Sequence, residues 1–126
     1  AVAPFSTLRD EVPDYARTIL PGVGRWIPAS TYDATVAAAG HSAGFDPAAA
    51  SALLAVQLTR ARVLILHGTD DWLVPAHHGE RIAAAAPDHV ELKLLPGLGH
   101  TAVWADPWGD LARETEAWFA EHLQGE

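Results

Sequence analysis

Three residues of this chain have the types and the spacing that acid–base catalysis requires: Asp70, Asp71 and His100. The two carboxylates follow the apolar run 63–66 after three intervening residues, and His100 follows a second strand-like run and the glycine-containing turn 96–99. A carboxylate that orients an imidazole allows that imidazole to take a proton from a nucleophile. An acid after one strand and a histidine after the next therefore indicate half of a catalytic site.

Two short apolar runs are predicted to be the strands that position these residues. The run 63–66 is too short for a helix, and its lack of polar residues indicates a strand covered on both faces. In the run 90–94, apolar residues alternate with Glu91 and Lys93, which is typical of a half-buried strand. Residues 1–5 are interpreted as the end of a further strand. Open parallel sheets carry their chemistry beyond the carboxyl ends of the strands, where this pattern puts the carboxylates and the histidine.

Helices are predicted between and after these strands from apolar spacing, capping residues and prolines. The first helix is predicted to begin after Ser6, which caps it. We expect a break in this helix near Pro13, which lacks an N–H group. The others are predicted over residues 31–39, 47–58, 75–86 and 107–123, with Gly40 ending the second helix. Strands that alternate with helices favour parallel pairing with right-handed crossovers. We expect an α/β fold with about three parallel strands and flanking helices.

Composition and charge exclude several classes of protein. The chain has 126 residues, the length of one domain, and 49% of them are hydrophobic, as in a globular protein. Its 16 acidic and 8 basic residues give a net charge of −8 without a basic cluster, which argues against a nucleic-acid partner. No apolar run is long enough to span a bilayer. The absence of cysteine excludes disulfides and fits a reducing compartment, so we expect a cytoplasmic protein.

The five residues from Gly40 to Gly44 match the pattern G-x-S-x-G of a serine nucleophile, with Ser42 as the serine. That pattern functions when a strand directly precedes it and a helix directly follows it, so that the serine lies on a strained turn. Here an alanine-rich predicted helix precedes the match, and Asp46 and Pro47 start another helix after it. We therefore interpret the match as a coincidence. A small complete esterase that uses Ser42 is kept as an alternative.

The segments around Asp71 and His100 together resemble the last third of α/β-hydrolase-fold serine hydrolases. Residues 67–75, HGTDDWLVP, are similar to the HG-x-x-D-x-x-V-P segment of the prolyl-oligopeptidase-like and serine-aminopeptidase-like branches. Residues 94–100, LLPGLGH, are similar to the leucine-rich strand and P-G-x-x-H segment of the same branches. The first eight residues, AVAPFSTL, resemble the strand and loop that follow the helix of the nucleophile. The resemblance covers nearly the whole chain, and the two motifs in this order are fairly specific.

This resemblance implies that Asp71 is the acid and His100 the base of a Ser-Asp-His triad, in the chain order serine, acid, histidine. Residues 1–126 are then the C-terminal portion of an α/β-hydrolase domain, whose upstream strands and nucleophile lie outside this chain. The implied function is hydrolysis of an ester or peptide substrate without a cofactor or a metal, and the chain is expected to need the upstream half for activity. A non-catalytic interaction module derived from the same fold is the alternative.

Structural roles are expected for most other histidines and tryptophans. His67 lies at the strand end itself and is interpreted as a support. His77 and His78 are adjacent, so on a helix we expect them to point different ways, unlike metal ligands at i and i+4. The tryptophans are expected to pack the fold, with Trp72 or Trp104 as candidates for lining a substrate pocket.

Overall fold

The fold of this chain is given by a computed structural model that describes residues 1–100, 102 and 109–123. The helices and strands, in chain order, are α1 Leu8–Ile19, α2 Ala29–Ala43, α3 Ala52–Leu58, β1 Val63–Gly68, α4 His77–Ala85, β2 Val90–Leu95 and α5 Asp110–His122. Two short 3₁₀ turns, Gly24–Trp26 and Pro47–Ala49, lie before and after α2. This arrangement is a mixed α/β fold, as predicted. None of the helices in the described part of the chain has the length and apolar character needed to cross a membrane.

The sheet consists of β1 and β2, which run parallel and pair over their whole lengths. The first residues of the chain lie along the other side of β1, where Val2 forms a parallel bridge with Leu66. The N–H of Ala3 donates to the carbonyl of Leu66, and the N–H of Leu66 donates to the carbonyl of Ala1, both at 2.9 Å. The sheet of the described residues thus has two strands and a single bridge to the first segment, rather than three full strands. The first segment contributes only the bridge because Ala3, with φ 43°, turns the chain away from the sheet.

Side chains from several helices cover both faces of β1, as its unbroken apolar run predicts. Ile65 packs on one face with buried side chains of α3, α4 and the start of β2. Leu64 and Leu66 pack on the opposite face with Leu95 and with Trp118 of α5. Successive residues of a strand point to opposite faces, so a strand covered on both sides must be apolar at every position. Packing on both faces therefore holds the carboxyl end of β1 in place.

The first helix, α1, is continuous through Pro13, so the predicted break is wrong. A proline inside a helix removes one main-chain hydrogen bond. Side-chain contacts on either side of that position hold the helix: the Thr7 hydroxyl caps its start, and the Thr18 hydroxyl donates to the carbonyl of Trp72 at 3.2 Å. Thr7 is the cap in place of Ser6, which is completely buried.

Two further helix boundaries differ from the prediction because other residues provide the caps. α2 continues through Gly40 and ends at Ala43, since Gly44 adopts the left-handed conformation of a C-cap, with φ 70°. The predicted helix over residues 47–58 is divided into a 3₁₀ turn and α3. The hydroxyl of Ser51 causes the division by accepting the N–H of Leu54 at 3.0 Å, which starts α3 there. Residues 107 and 108, where the last helix is predicted to begin, lie outside the described residues.

Candidate active site

The loops that follow β1 and β2 bring Asp71 and His100 together. β1 and β2 are parallel neighbours, so both loops leave the sheet at the same edge. Nδ1 of His100 lies 2.8 Å from Oδ2 of Asp71, which is a hydrogen-bond distance. The carboxylate and the imidazole that the sequence predicts as acid and base are therefore in direct contact.

The carboxylate of Asp71 is held in one orientation. Its side chain is completely buried, and Oδ1 accepts hydrogen bonds from the main-chain N–H groups of Leu73 at 3.0 Å and Val74 at 2.8 Å. These bonds occupy one oxygen and leave Oδ2 to face His100. Asp70 is exposed, and its carboxylate accepts a hydrogen bond from the hydroxyl of the preceding threonine. Of the two candidate acids, Asp71 is the one that contacts the imidazole.

The imidazole of His100 is oriented by this contact and remains partly open to solvent, with 25% of the side chain exposed. An ionised carboxylate only accepts hydrogen bonds, so Nδ1 carries the hydrogen and donates it to Asp71. The second nitrogen, Nε2, then has an available lone pair when the ring is neutral. An imidazole held in this way can take a proton at Nε2 from a hydroxyl, while the carboxylate stabilises the imidazolium.

Hydrogen bonds between the two loops fix the position of the imidazole relative to the carboxylate. The N–H of Asp70 donates to the carbonyl of Leu98 at 3.1 Å, and the N–H of Gly97 donates to the hydroxyl of Thr69 at 2.9 Å. Gly97 has φ 72°, a left-handed conformation that glycine adopts without strain. A Cβ atom on Gly68 would lie only 2.0 Å from the carbonyl oxygen of Leu98. The close approach of the two loops therefore requires glycine at position 68.

His67 supports the Asp71 loop from inside the fold. The side chain is completely buried, and its Nε2–H donates to the carbonyl of Val74 at 2.8 Å, because a carbonyl oxygen only accepts. The same nitrogen lies 3.5 Å from Oδ2 of Asp71. Gly79 of α4 packs against the ring of His67. A Cβ atom at position 79 would lie only 2.9 Å from Nδ1, so the close packing of α4 on this ring depends on glycine. These contacts make His67 a support for the acid.

A cavity of about 480 Å³ lies beside His100. Its wall includes the apolar side chains of Val2, Phe5 and Val74. Ser51 also lines the cavity, but its hydroxyl oxygen caps α3. Apolar cavities that contain a few polar groups are the usual binding sites of small molecules. This cavity has the composition expected of a small-molecule binding site next to an imidazole.

Of the two tryptophans predicted as pocket residues, Trp72 can be placed relative to this cavity. Trp72 is 63% exposed, and its main-chain carbonyl accepts the hydroxyl of Thr18. The described wall of the cavity does not include Trp72. Trp104 lies outside the described residues.

The G-x-S-x-G match lies at the end of α2, where Ser42 is exposed. Both of its glycines have a structural explanation. A Cβ atom on Gly40 would lie 2.4 Å from Cγ of Pro47, and Gly44 is the left-handed C-cap. Ser42 itself is part of regular helix and not of a strained turn between a strand and a helix. Helix packing and capping therefore account for the match.

Two alanine substitutions test this explanation. Gly40→Ala is expected to lower the free energy of unfolding by about 1–3 kcal/mol, because the added methyl group overlaps the ring of Pro47. Ser42→Ala is expected to change it by less than about 0.5 kcal/mol, because the side chain is exposed. Urea denaturation followed by circular dichroism measures both values. Equal effects of the two substitutions would contradict the packing role of Gly40.

A second polar cluster, which the sequence analysis does not predict, joins α1 to the start of α4. His77 and His78 stack with their ring centroids 4.4 Å apart, so the expectation that they point different ways is wrong. Side chains lean toward the N-terminus of a helix, and these two residues are the first of α4, so both extend past its end. Nε2 of His77 lies 2.9 Å from Oδ2 of Asp14, and Nε2 of His78 lies 3.3 Å from the same oxygen. The signal that could have indicated this cluster is the pair Glu11 and Asp14, one turn apart on α1.

Burial has opposite effects on the two innermost members of the cluster. Burial, with the negative charges of Asp14 and Asp71, raises the pKa of Glu11 to about 7, although His100 acts in the opposite direction. Burial lowers the pKa of His78, and the positive charge of the neighbouring His77 contributes a smaller lowering. Glu11 thus couples the cluster electrostatically to the candidate acid and base.

Comparisons with protein-family models, with curated proteins and with solved structures found no match to this chain. Its function is therefore inferred from the site itself. The relevant features are a buried carboxylate, an imidazole that it orients and an adjacent apolar cavity.

Proposed function

We propose that this chain supplies the acid, Asp71, and the base, His100, of a Ser-Asp-His triad in a serine hydrolase of the α/β-hydrolase class. The 2.8 Å contact between Oδ2 and Nδ1, beyond the ends of two parallel strands, is the observation that carries this proposal. The apolar cavity beside His100 supports it, because it offers room for the acyl part of a substrate. The proposed substrate is an ester or a peptide.

The proposed reaction proceeds through an acyl-enzyme. Nε2 of His100 removes the proton of a serine hydroxyl while that oxygen attacks the substrate carbonyl carbon. The imidazolium, stabilised by Asp71 through the Nδ1–H hydrogen bond, gives this proton to the leaving alcohol or amine. A water molecule then attacks the acyl-enzyme with His100 again as the base, which releases the acid and restores the serine. Every step is a proton transfer or an acyl transfer, so the mechanism needs no cofactor.

The serine nucleophile is proposed to come from a segment outside residues 1–126, together with the oxyanion-hole N–H groups. Ser30 and Ser42 are exposed on α2. The hydroxyl of Ser6 is buried 2.8 Å from Nδ1 of His78, and that of Ser51 caps α3. Ser6 and Ser51 thus have structural roles, and Ser30 and Ser42 lie in a regular helix rather than on the strained turn of a serine nucleophile. In the α/β-hydrolase order the nucleophile precedes the acid in the chain.

Covalent labelling with a fluorophosphonate probe tests this proposal on the protein expressed from the complete coding sequence that contains this chain. We expect one labelled serine outside residues 1–126, identified by peptide mass mapping. His100→Ala is expected to abolish the labelling because the serine then lacks its base. Ser42→Ala is the control and is expected to react like the wild type.

The other outcomes correspond to the competing functions. A protein that remains unlabelled under conditions that label a known serine hydrolase would contradict the proposal and favour a non-catalytic interaction module. Labelling of Ser42 would contradict the position proposed for the nucleophile and would indicate a small complete esterase.

A further inference from the structure

Asp14, His77 and His78 each present one ligand atom at the spacing of a metal site, and Glu11 lies beside them. Oδ2 of Asp14 and the Nε2 atoms of the two histidines all lie within 4.8 Å of one another. Oε2 of Glu11 lies 3.3 Å from Nε2 of His78. Ligand atoms bound tetrahedrally to zinc at about 2.0–2.1 Å are separated by about 3.3 Å. The 2.9 Å and 3.3 Å separations that involve Asp14 are close to this value.

Two atoms of the cluster are buried without a hydrogen-bond partner among the described residues: Nε2 of His78 and Oε2 of Glu11. The side chain of His78 is completely buried, and that of Glu11 is 13% exposed. A buried polar atom without a partner costs free energy, and most such atoms in proteins are paired. Because the two atoms are only 3.3 Å apart, a cation bound to Nε2 of His78 also lies close to the carboxylate of Glu11 and offsets its charge.

We propose that Asp14, His77 and His78 bind one divalent transition-metal ion beside the carboxylate of Glu11, with Zn²⁺ as the best fit. Imidazole nitrogens and carboxylate oxygens are common zinc ligands, whereas Mg²⁺ and Ca²⁺ prefer oxygen alone. The carboxylate of Asp14, together with the nearby carboxylate of Glu11, balances the charge of a dication held by two neutral imidazoles. The ion also removes the repulsion between the carboxylates of Glu11 and Asp14.

Neighbouring side chains are arranged to orient the ligands. Arg17 donates to Oδ1 of Asp14 at 2.5 Å, which leaves Oδ2 for the ion. The main-chain N–H of Ser6 donates to Nδ1 of His78 at 3.2 Å, so without metal the neutral ring carries its hydrogen on Nε2. Metal binding at Nε2 moves that hydrogen to Nδ1, which breaks the bond from the Ser6 N–H and replaces it with a bond from Nδ1–H to the Ser6 hydroxyl, 2.8 Å away. The hydroxyl in turn donates to Oδ2 of Asp10 at 3.2 Å.

The proposed ion fastens α1 to the start of α4. α1 also holds the loop of the candidate acid, because the Thr18 hydroxyl donates to the carbonyl of Trp72. The side chain of His77 is 46% exposed, so an ion can enter from solvent. The expected role of the metal is to stabilise this part of the fold. The inference is independent of the proposed hydrolase activity, since it concerns binding and stability alone.

Calorimetric titration of the chelator-treated protein with ZnCl₂ tests the proposal. We expect one equivalent to bind with a Kd of about 1 μM or lower. Zn²⁺ at 100 times the Kd is expected to raise Tm by about 10 °C. His77→Ala, chosen because this side chain is half exposed, and Asp14→Asn are each expected to weaken binding at least about 100-fold. His41→Ala, which removes an exposed histidine of α2, is the matched control and is expected to bind like the wild type.

A second measurement follows the ring of His78 directly. In nitrogen-15 NMR spectra, Zn²⁺ is expected to move the hydrogen of His78 from Nε2 to Nδ1. Binding weaker than about 100 μM would overturn the proposal, since such an affinity is far below that of structural zinc sites. Equal affinities of the wild type and His77→Ala, or an unchanged His78 tautomer at saturating Zn²⁺, would also overturn it.

Discussion

Asp71→Asn is expected to lower kcat for ester hydrolysis by about 10⁴-fold in the protein expressed from the complete coding sequence. The asparagine keeps the shape of the side chain, but its amide can present an N–H group to Nδ1 of His100. Nδ1 must then accept, and the hydrogen of the neutral ring moves to Nε2, the atom that has to take the proton from the nucleophile. Steady-state kinetics with a p-nitrophenyl ester measures the loss.

The neighbouring carboxylate provides the matched control for this prediction. Asp70→Asn changes an exposed residue, and we expect it to retain the turnover of the wild type. His100→Ala and the double variant that combines His100→Ala with Asp71→Asn are expected to have a similar residual kcat. The two effects do not add because acid and base act as a unit. If Asp70→Asn reduced kcat as strongly as Asp71→Asn, the assignment of the acid would be wrong.

Gly68→Ala is expected to lower kcat/KM by about 100-fold or more and to lower Tm. The added methyl carbon would lie 2.0 Å from the carbonyl oxygen of Leu98, so the loop that carries His100 has to move. A displacement of about 1 Å at a catalytic group can cost a factor of about 100 in rate. Ester hydrolysis and thermal denaturation of the same preparation measure the two effects.

Gly99→Ala is the control for this substitution, because it adds a methyl group to the loop that carries His100. A Cβ atom at position 99 would lie 3.5 Å from the carbonyl oxygen of Asp70, which is an ordinary contact. We expect Gly99→Ala to affect activity much less than Gly68→Ala. Wild-type activity and stability in Gly68→Ala would show that the contact with Leu98 does not position His100.

The two strands and the meeting of their loops follow from local sequence features. An apolar run without alternation predicts β1, and the alternation in residues 90–94 predicts β2. Once these strands are parallel neighbours, Asp71 and His100 necessarily leave the same edge of the sheet. The contact between them could thus be anticipated, although its 2.8 Å distance depends on the glycines at 68 and 97.

The differences between prediction and structure arise where tertiary contacts override a local signal. Pro13 predicts a break, but contacts at Thr7 and Thr18 hold α1 on both sides of it. Gly40 predicts a helix end, but the glycine is there because Pro47 packs against it. The cluster on α1 and α4 depends on how two distant helices approach each other, and the spacing of Glu11 and Asp14 on α1 indicates a polar face without indicating its partner.

The tautomer of His100 is the most direct test of the proposed acid–base pair. Nitrogen-15 NMR distinguishes protonated from unprotonated ring nitrogens, and loss of the signals in His100→Ala assigns them. We predict that the neutral ring of the wild type carries its hydrogen on Nδ1 and leaves Nε2 unprotonated. A hydrogen on Nε2 would mean that the ring donates no hydrogen bond to Asp71 and that Nε2 has no lone pair to take the proton of a nucleophile. This result would contradict the proposed acid–base pair of Asp71 and His100.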